Sequence, residues 1–344
     1  MNGDTSAGSV MDNVIDHLLS SQAIEPILVD VGSSGGSPRI WQPIRAHSTY
    51  VGFDGDTREM HHPQEAEYRH ACFAHEVITC DGAAEVTFHL TRSPYCSSTL
   101  KPNPAITENF LSADSFIIEK TERAKASTLN AVLDRLNLPH IDWMKIDTQG
   151  TDLRVYNSLR KELRDRLLAI DIEPGLRGAY VNEDLFCDVH AGLMREGFWL
   201  SNLRVCGLVR MRKSTLDWLA DRDPKATPDS VAKAVRQTPG WTECRYLRSL
   251  ESLATTGAQR REYVLLWVFA LIDKQFGFCL DLALEYGRRF GTDELSTLLE
   301  TESIARIDEA IDRSKTPKNG VEVTVFGRVK RKVRRVLWPG GSSV

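Results

Sequence analysis

From the amino terminus, the first clear pattern is Val10, Met11, Val14, Ile15, Leu18 and Leu19, the apolar spacing of one helical face. Residues 1–9 before it are small and polar, as expected of a frayed end. After Pro26 the period changes. Ile27-Leu28-Val29-Asp30-Val31 is a short apolar run rich in β-formers, bounded by proline and by glycines. That pattern predicts a strand buried on both faces. Further strands are predicted at 50–53, 76–79, 86–90, 141–146 and 167–172, with helices at 128–136 and 153–163. Residues 198–200 and 205–211 read as a closing antiparallel pair. Strands alternating with helices predict an α/β fold with a doubly wound, mostly parallel sheet.

Around residues 221–228 the texture becomes charged and proline-containing, which predicts a boundary. From 230 to 314 the pattern is helical, most apolar over 263–276, with Gly277 and Gly287 expected to end or bend helices. A valine-rich basic tail follows from Val321. The expected organisation is therefore an N-terminal helix (1–25), a sheet domain (26–212), a helical extension (213–320) and a basic tail (321–344). The longest apolar run, 263–272, is about half of what a bilayer span needs. No basic stretch leads into an apolar one at the start of the chain, so the expected location is the cytoplasm.

Composition changes this picture little. The chain is 42% apolar and 26% charged with a net charge of −4, which gives no global reason to expect nucleic acid as a partner. Seven cysteines without a CxxC spacing suggest neither a disulfide framework nor a zinc site.

Candidate chemistry gathers at strand ends. Val29-Asp30-Val31-Gly32-Ser33-Ser34-Gly35-Gly36 is a strand running into a glycine turn, where backbone can approach a ligand that a Cβ would hold off. Ligands of open α/β sheets bind at that end of the strands. The turn is neither GxGxxG nor a phosphate loop. The second predicted strand ends in Asp54, 24 residues after Asp30, where an acid can accept hydrogen bonds from ribose hydroxyls. An acidic Asp54-Gly55-Asp56 turn is the plainer alternative. Asp81 could touch the same ligand or simply form an Asp-Gly turn. A further strand delivers Lys145 and Asp147 in the block Ile141-Asp142-Trp143-Met144-Lys145-Ile146-Asp147-Thr148-Gln149-Gly150-Thr151-Asp152-Leu153, where Thr151 or Asp152 could cap the next helix.

These motifs together resemble the FkbM-type methyltransferases. The first motif of that family, VDVGxxxG, is matched by Val29 to Gly36, and its K-I-D-x-E-G-x-E block by Lys145, Ile146, Asp147, Gly150 and, in charge only, Asp152. Ser97-Ser98-Thr99-Leu100 resembles its serine-containing loop, and Leu133-Asp134-Arg135-Leu136 its L-D-x-L. Glu173 and Glu196-Gly197-Phe198 match its later acid and its GF turn, so the resemblance covers about residues 26–211 in the right order. Gln149 stands where the family usually has Glu, Gly35 where it has a bulky apolar residue, and Asp54-Gly55 where Glu-Pro is common.

The resemblance implies a class I, Rossmann-like methyltransferase fold that uses S-adenosyl-L-methionine to methylate a hydroxyl oxygen, with a sugar of a glycan, glycolipid or glycosylated metabolite as acceptor. Asp30, Gly32, Ser33, Gly36, Asp54 and Asp81 are then the expected cofactor contacts. An alcohol benefits from a general base, for which Asp147 is the first candidate and Glu173 the second, with Lys145 orienting Asp147 or the acceptor. Asp147 and Glu173 could hold a hard cation, although no spacing demands a metal. His61-His62 reads as a loop pair. In the tail, Val325, Val329, Val333, Val336 and Leu337 fall near one helical face among Arg328, Lys330, Arg331, Lys332, Arg334 and Arg335, with Trp338 at the end. Such a segment suits peripheral contact with an anionic membrane. The rival readings are a nicotinamide-dependent oxidoreductase and a cofactor-binding scaffold without catalysis whose helical extension docks a partner.

Overall fold

The computed structural model describes residues 5–34, 36–56, 58 and 67–315. Gly35, His61, His62 and the basic tail, with its expected membrane contact, lie outside the described residues. In chain order the first strands are β1 (Ile27–Val31), β2 (Thr49–Phe53), β3 (His70–Ala74), β4 (Val77–Ile78), β5 (Glu85–Thr91) and β6 (Ile118–Ser127). They are followed by β7 (Trp143–Ile146), β8 (Ala169–Ile172), β9 (Phe198–Leu208) and β10 (Thr238–Arg248). The helices begin with α1 (Thr5–Ser21), α2 (Pro104–Thr107), α3 (Leu129–Arg135), α4 (Asp152–Ser158), α5 (Lys161–Arg166) and α6 (Phe186–Arg195). The later ones are α7 (Lys213–Ala220), α8 (Pro228–Ala234), α9 (Leu250–Thr255), α10 (Arg260–Ile272), α11 (Phe276–Phe290) and α12 (Glu294–Lys315).

Seven strands form the central sheet in the order β3-β2-β1-β7-β8-β10-β9, and β4-β6-β5 make a small second sheet. The first five strands of the central sheet run parallel, while β10 is antiparallel to both of its neighbours. The fold is thus α/β with a mostly parallel, Rossmann-like sheet. Alternation along each strand sorts side chains to two faces. Val29, Val51, Met144 and Ile170 meet α3, α4 and α6 on one face. Leu28, Tyr50, Trp143 and Ala169 meet α1, α10, α11 and α12 on the other.

Several expectations need correction. The third strand of the sheet is β3; the predicted strand at 76–79 shrinks to β4 of the small sheet. The stretches 198–200 and 205–211 do not pair with each other. Residues 198–208 are one continuous strand, β9, whose partner is β10. That partner interrupts the region 230–314, expected to be helical throughout. The helix predicted at 153–163 breaks at Leu159, whose extended backbone (φ −63°, ψ 141°) separates α4 from α5. Gly277 and Gly287 lie inside α11, which ends at Gly291 in a positive-φ conformation instead. No helix among the described residues is long and apolar enough to cross a membrane.

The helical extension is not a separate layer. Residues 262–272 of α10 are buried all round, packed between the sheet and the helices α11 and α12. Arg261 at its start reaches Asp142 with both guanidinium nitrogens (2.7 and 2.8 Å), while Asp142 also accepts the Ile27 amide at 2.8 Å. Helix and sheet are pinned at the N-terminal ends of β1 and β7, opposite the glycine turn.

Candidate functional site

The site is built where β1, β2, β7 and β8 end. In the sheet register Asp30 pairs with Lys145, Lys145 with Asp171, and Asp171 with Arg245. Residues in one register row share a face, so the row alternates acid, base, acid, base. Arg245 bonds Asp171 at 2.7 Å and Asp273 at 2.7 Å. Lys145 donates to the Gly32 carbonyl at 3.0 Å, with Asp30 Oδ1 at 3.4 Å and Asp147 Oδ2 at 3.8 Å. Burial works against the Lys145 charge, yet Asp30, Asp147 and Glu173 more than offset it and push its pKa up. Asp30 itself is fully buried, and burial raises its carboxyl to about 6 even with Lys145 and the Tyr50 hydroxyl (3.0 Å) favouring the anion.

After Val31 the backbone turns at Gly32 with φ +84° and runs directly against the Asp147 backbone, where a Cβ would overlap the Asp147 carbonyl. The Gly32 and Ser33 amides both donate to the Phe53 carbonyl at 2.9 Å. The turn is thereby clamped to the ends of both flanking strands.

On one side of this clamp lies an open cleft at the strand ends. Gly32, Ser34, Asp54, Asp56, Ser97, Asp147 and Gln149 supply its polar lining, and Phe53, Val77, Ile78, Phe88 and Tyr95 its apolar wall. Asp54 is nearly buried; it accepts from the Ser34 hydroxyl at 2.7 Å and the Asp56 amide at 2.8 Å. Burial raises its pKa, partly offset by those bonds. On the other side of Lys145 lies a second cleft, lined by Lys145, Glu173, Asn202, Arg204, Glu243 and Arg39.

The expected site residues therefore divide. Gly32, Asp54 and Asp147 line the first cleft, Lys145 and Glu173 the second. Asp30 lines neither; it is a buried counter-charge beneath Lys145. Ser33 and Gly36 shape the turn from behind, Gly36 with φ +93° and its amide on the Ser33 carbonyl. Asp81 is the plain turn: exposed, outside the cleft, its carboxylate accepting the Ala83 amide at 3.2 Å. Thr151 stands at the start of α4 but makes no side-chain capping bond; its hydroxyl bonds the Thr148 hydroxyl at 2.8 Å, and Asp152 accepts from the Thr148 amide and hydroxyl at 2.8 Å each. Burial holds its carboxyl at about 7.

Four contributors escaped the sequence reading. Ser34 and Asp56 sit beside residues that drew attention for other reasons, and Ser97 lay in the noted serine loop, donating to Asp56 at 2.9 Å. Tyr180 belongs to no motif at all; only packing brings its hydroxyl to Gln149.

The two candidate bases differ in freedom. Asp147 Oδ1 accepts the Gln149 side-chain amide at 2.5 Å, and Oδ2 faces Lys145. Among the described residues Glu173 has neither a hydrogen-bond partner nor an ion pair, and burial, then the nearby Asp147 charge, raises its carboxyl to about 8. Among the described residues no group of three or more His, Cys, Asp or Glu side chains is arranged to hold a metal; the cation near both Asp147 and Glu173 is the Lys145 ammonium.

No family model matches the chain, and no curated protein matches it in sequence.

Proposed function

We propose that this chain is an S-adenosylmethionine-dependent O-methyltransferase acting on a hydroxyl of a sugar-bearing acceptor. The observation that carries the reading is the clamp of Gly32 on Asp147, with one cleft bearing Asp54 and an apolar wall on one side and a second cleft bearing Lys145, Glu173 and other charged side chains on the other. The lining of the first cleft fits the cofactor: the apolar wall of Ile78, Phe88 and Tyr95 suits an adenine, Asp54 suits ribose hydroxyls, and the Gly32 turn gives close backbone approach. The carboxylates of Asp54 and Asp147 suit a cation, which a sulfonium is, while Asp56 already pairs with Arg58 at 2.6 Å. When bound, that sulfonium would supply an activated methyl group. The reversed strand β10, set between β8 and β9, departs from the dinucleotide-binding strand order and agrees with the class I methyltransferase resemblance.

The chain's own part is alignment and proton removal. Asn202, Arg204, Glu243 and Arg39 offer donors and acceptors to a hydroxyl-rich molecule. Glu173, the freer carboxyl, takes the acceptor proton, and Lys145 steadies the charge that develops beside it. That reverses the order in which the motifs alone rank Asp147 and Glu173. A lipid-linked acceptor would account for a membrane-seeking tail; liposome co-sedimentation with and without residues 321–344 tests that, and equal partition would exclude it.

Calorimetric titration with S-adenosylhomocysteine tests the cofactor assignment. Micromolar binding that Asp54→Ala weakens at least tenfold is the expected result. Binding of NAD in place of S-adenosylhomocysteine would overturn the reading, as would no binding of either by folded protein. Once an acceptor is in hand, kcat should rise with pH towards a plateau above about 8, as Glu173 loses its proton. Glu173→Gln should lower it about 10²–10⁴-fold and remove that limb.

A further inference from the structure

Gln149 is held more firmly than a surface glutamine needs to be. Its backbone is in the left-handed region, φ +56°, which few non-glycine residues adopt and which persists only when surroundings impose it. Its carbonyl accepts the Ser98 hydroxyl at 2.9 Å, and that hydroxyl also receives the Leu100 amide at 3.0 Å. The next residue, Gly150 (φ +113°), is closed in by Leu100 and Glu183. Three loops, around Ser98, Gln149 and Tyr180, meet there.

The Gln149 side chain is fixed at both ends. Its nitrogen donates to Asp147 Oδ1 at 2.5 Å, and its oxygen lies 3.0 Å from the Tyr180 hydroxyl. Which end is which follows from chemistry: a carboxylate only accepts, so the amide must turn its NH2 to Asp147 and its oxygen to the tyrosine. Tyr180 is itself almost fully buried, edge-on to Phe116 with ring centroids 5.8 Å apart, and its single hydroxyl proton is shared between the Gln149 oxygen and the Cys96 carbonyl at 2.9 Å. Its backbone amide is bound by Glu183 at 3.1 Å.

We infer that Tyr180 is a positioning residue, which acts through the Gln149 amide to hold the Asp147 carboxylate in one orientation at the floor of the first cleft. The inference rests on the cofactor reading for its purpose, but the chain of hydrogen bonds stands apart from it. A neutral amide suits this place because it can donate to Asp147, whereas an ionised carboxylate at position 149 could only accept and would repel it. With Oδ1 tied to Gln149 and Oδ2 towards Lys145, the anion faces the cleft as a fixed charge. It would favour a positively charged occupant over a neutral one.

The test compares S-adenosylmethionine with S-adenosylhomocysteine, which differ by the sulfonium charge, by calorimetry on wild type, Tyr180→Phe and Gln149→Glu. The Gln149 side-chain amide signals are followed in parallel by ¹⁵N NMR. Tyr180→Phe should weaken the sulfonium compound about threefold to tenfold, leave the thioether within about twofold, and move the Gln149 amide signals. Gln149→Glu, which adds an anion, should shift the ratio of the two affinities the opposite way. Equal weakening of both compounds by Tyr180→Phe marks a merely structural tyrosine and overturns the inference, as do unmoved Gln149 signals. If neither compound binds folded wild type, the cofactor reading fails, and the amide signals alone decide whether Tyr180 orders Asp147.

Discussion

A single missing methyl sets the position of the candidate site. Gly32 combines φ +84° with direct contact on the Asp147 backbone, so Gly32→Ala meets both a strained conformation and an overlap with main chain that cannot rotate away. We expect about 2–4 kcal/mol of destabilisation in chemical denaturation, or a displaced turn and loss of S-adenosylhomocysteine binding. Glu173 carries the opposite sign. Its folded pKa of about 8 lies above its ordinary value, so the folded state keeps a proton that the unfolded chain releases. Stability then falls as pH rises from about 4.5 to 8. Glu173→Gln should raise Tm at pH 9 and leave it unchanged at pH 4; an equal rise at both would contradict a proton held on Glu173 in the folded state. At this scale the sequence was informative about type and less so about direction. Asp54 and Asp147 could be read from their places at strand ends. Asp30 sits in the first motif yet points under the sheet, because the alternation of a strand, not the motif, decides which face a side chain takes.

Elements were legible where burial makes them apolar. β1, β2, β7 and β8 are buried runs of β-formers and were found within a residue or two at most positions. β6 was not, since Glu119, Lys120, Glu122, Arg123 and Lys125 are set in the exposed small sheet, with little burial to shape their pattern. β10 hid behind helical neighbours and a Pro-Gly pair, although its buried positions alternate over much of its length. What fixes α10 to the sheet was equally invisible: Asp142 and Arg261 are 119 residues apart. Burial opposes the Asp142 charge, but Arg261 and His140 outweigh it and bring its carboxyl down to about 2. A depressed carboxyl stabilises the fold above its ordinary pKa, here by about 2 kcal/mol, and that contribution disappears as pH falls from about 4 through 2. Arg261→Ala leaves the buried carboxylate without its main partner and should cost about 3–5 kcal/mol at pH 7. Thermal melts from pH 2 to 7 would check both the size and the acid limb.

For the whole molecule, the α/β class followed from the alternation of strand and helix patterns, while the integration of the C-terminal third did not. Composition marks residues 221–228 as a boundary, yet one core cluster joins Leu28, Trp143 and Leu247 of the sheet to Trp267, Phe269 and Leu282 of the extension. Helix α10 is apolar on all sides because it is covered on all sides. The described body should unfold in one transition, and removal of residues 259–344 should leave an insoluble chain; a soluble truncated form with native-like S-adenosylhomocysteine binding would refute that. Trp267→Ala, which also removes a 2.9 Å bond to Ser303, should cost about 3–5 kcal/mol.

The same buried helix sets a timetable for biosynthesis. The five parallel strands are complete once Ile172 is made, but α10, which packs on one of their faces, ends only at Ile272, roughly 100 residues later. At about 5–20 residues per second, Leu28, Tyr50 and Trp143 lack the α10 part of their cover for roughly 5–20 s. During that interval the nascent chain carries a sticky apolar surface that the finished protein hides. Slow codons between β8 and α10 would prolong the interval, so yield of soluble protein should respond to the rate of elongation more than to the stability of the product.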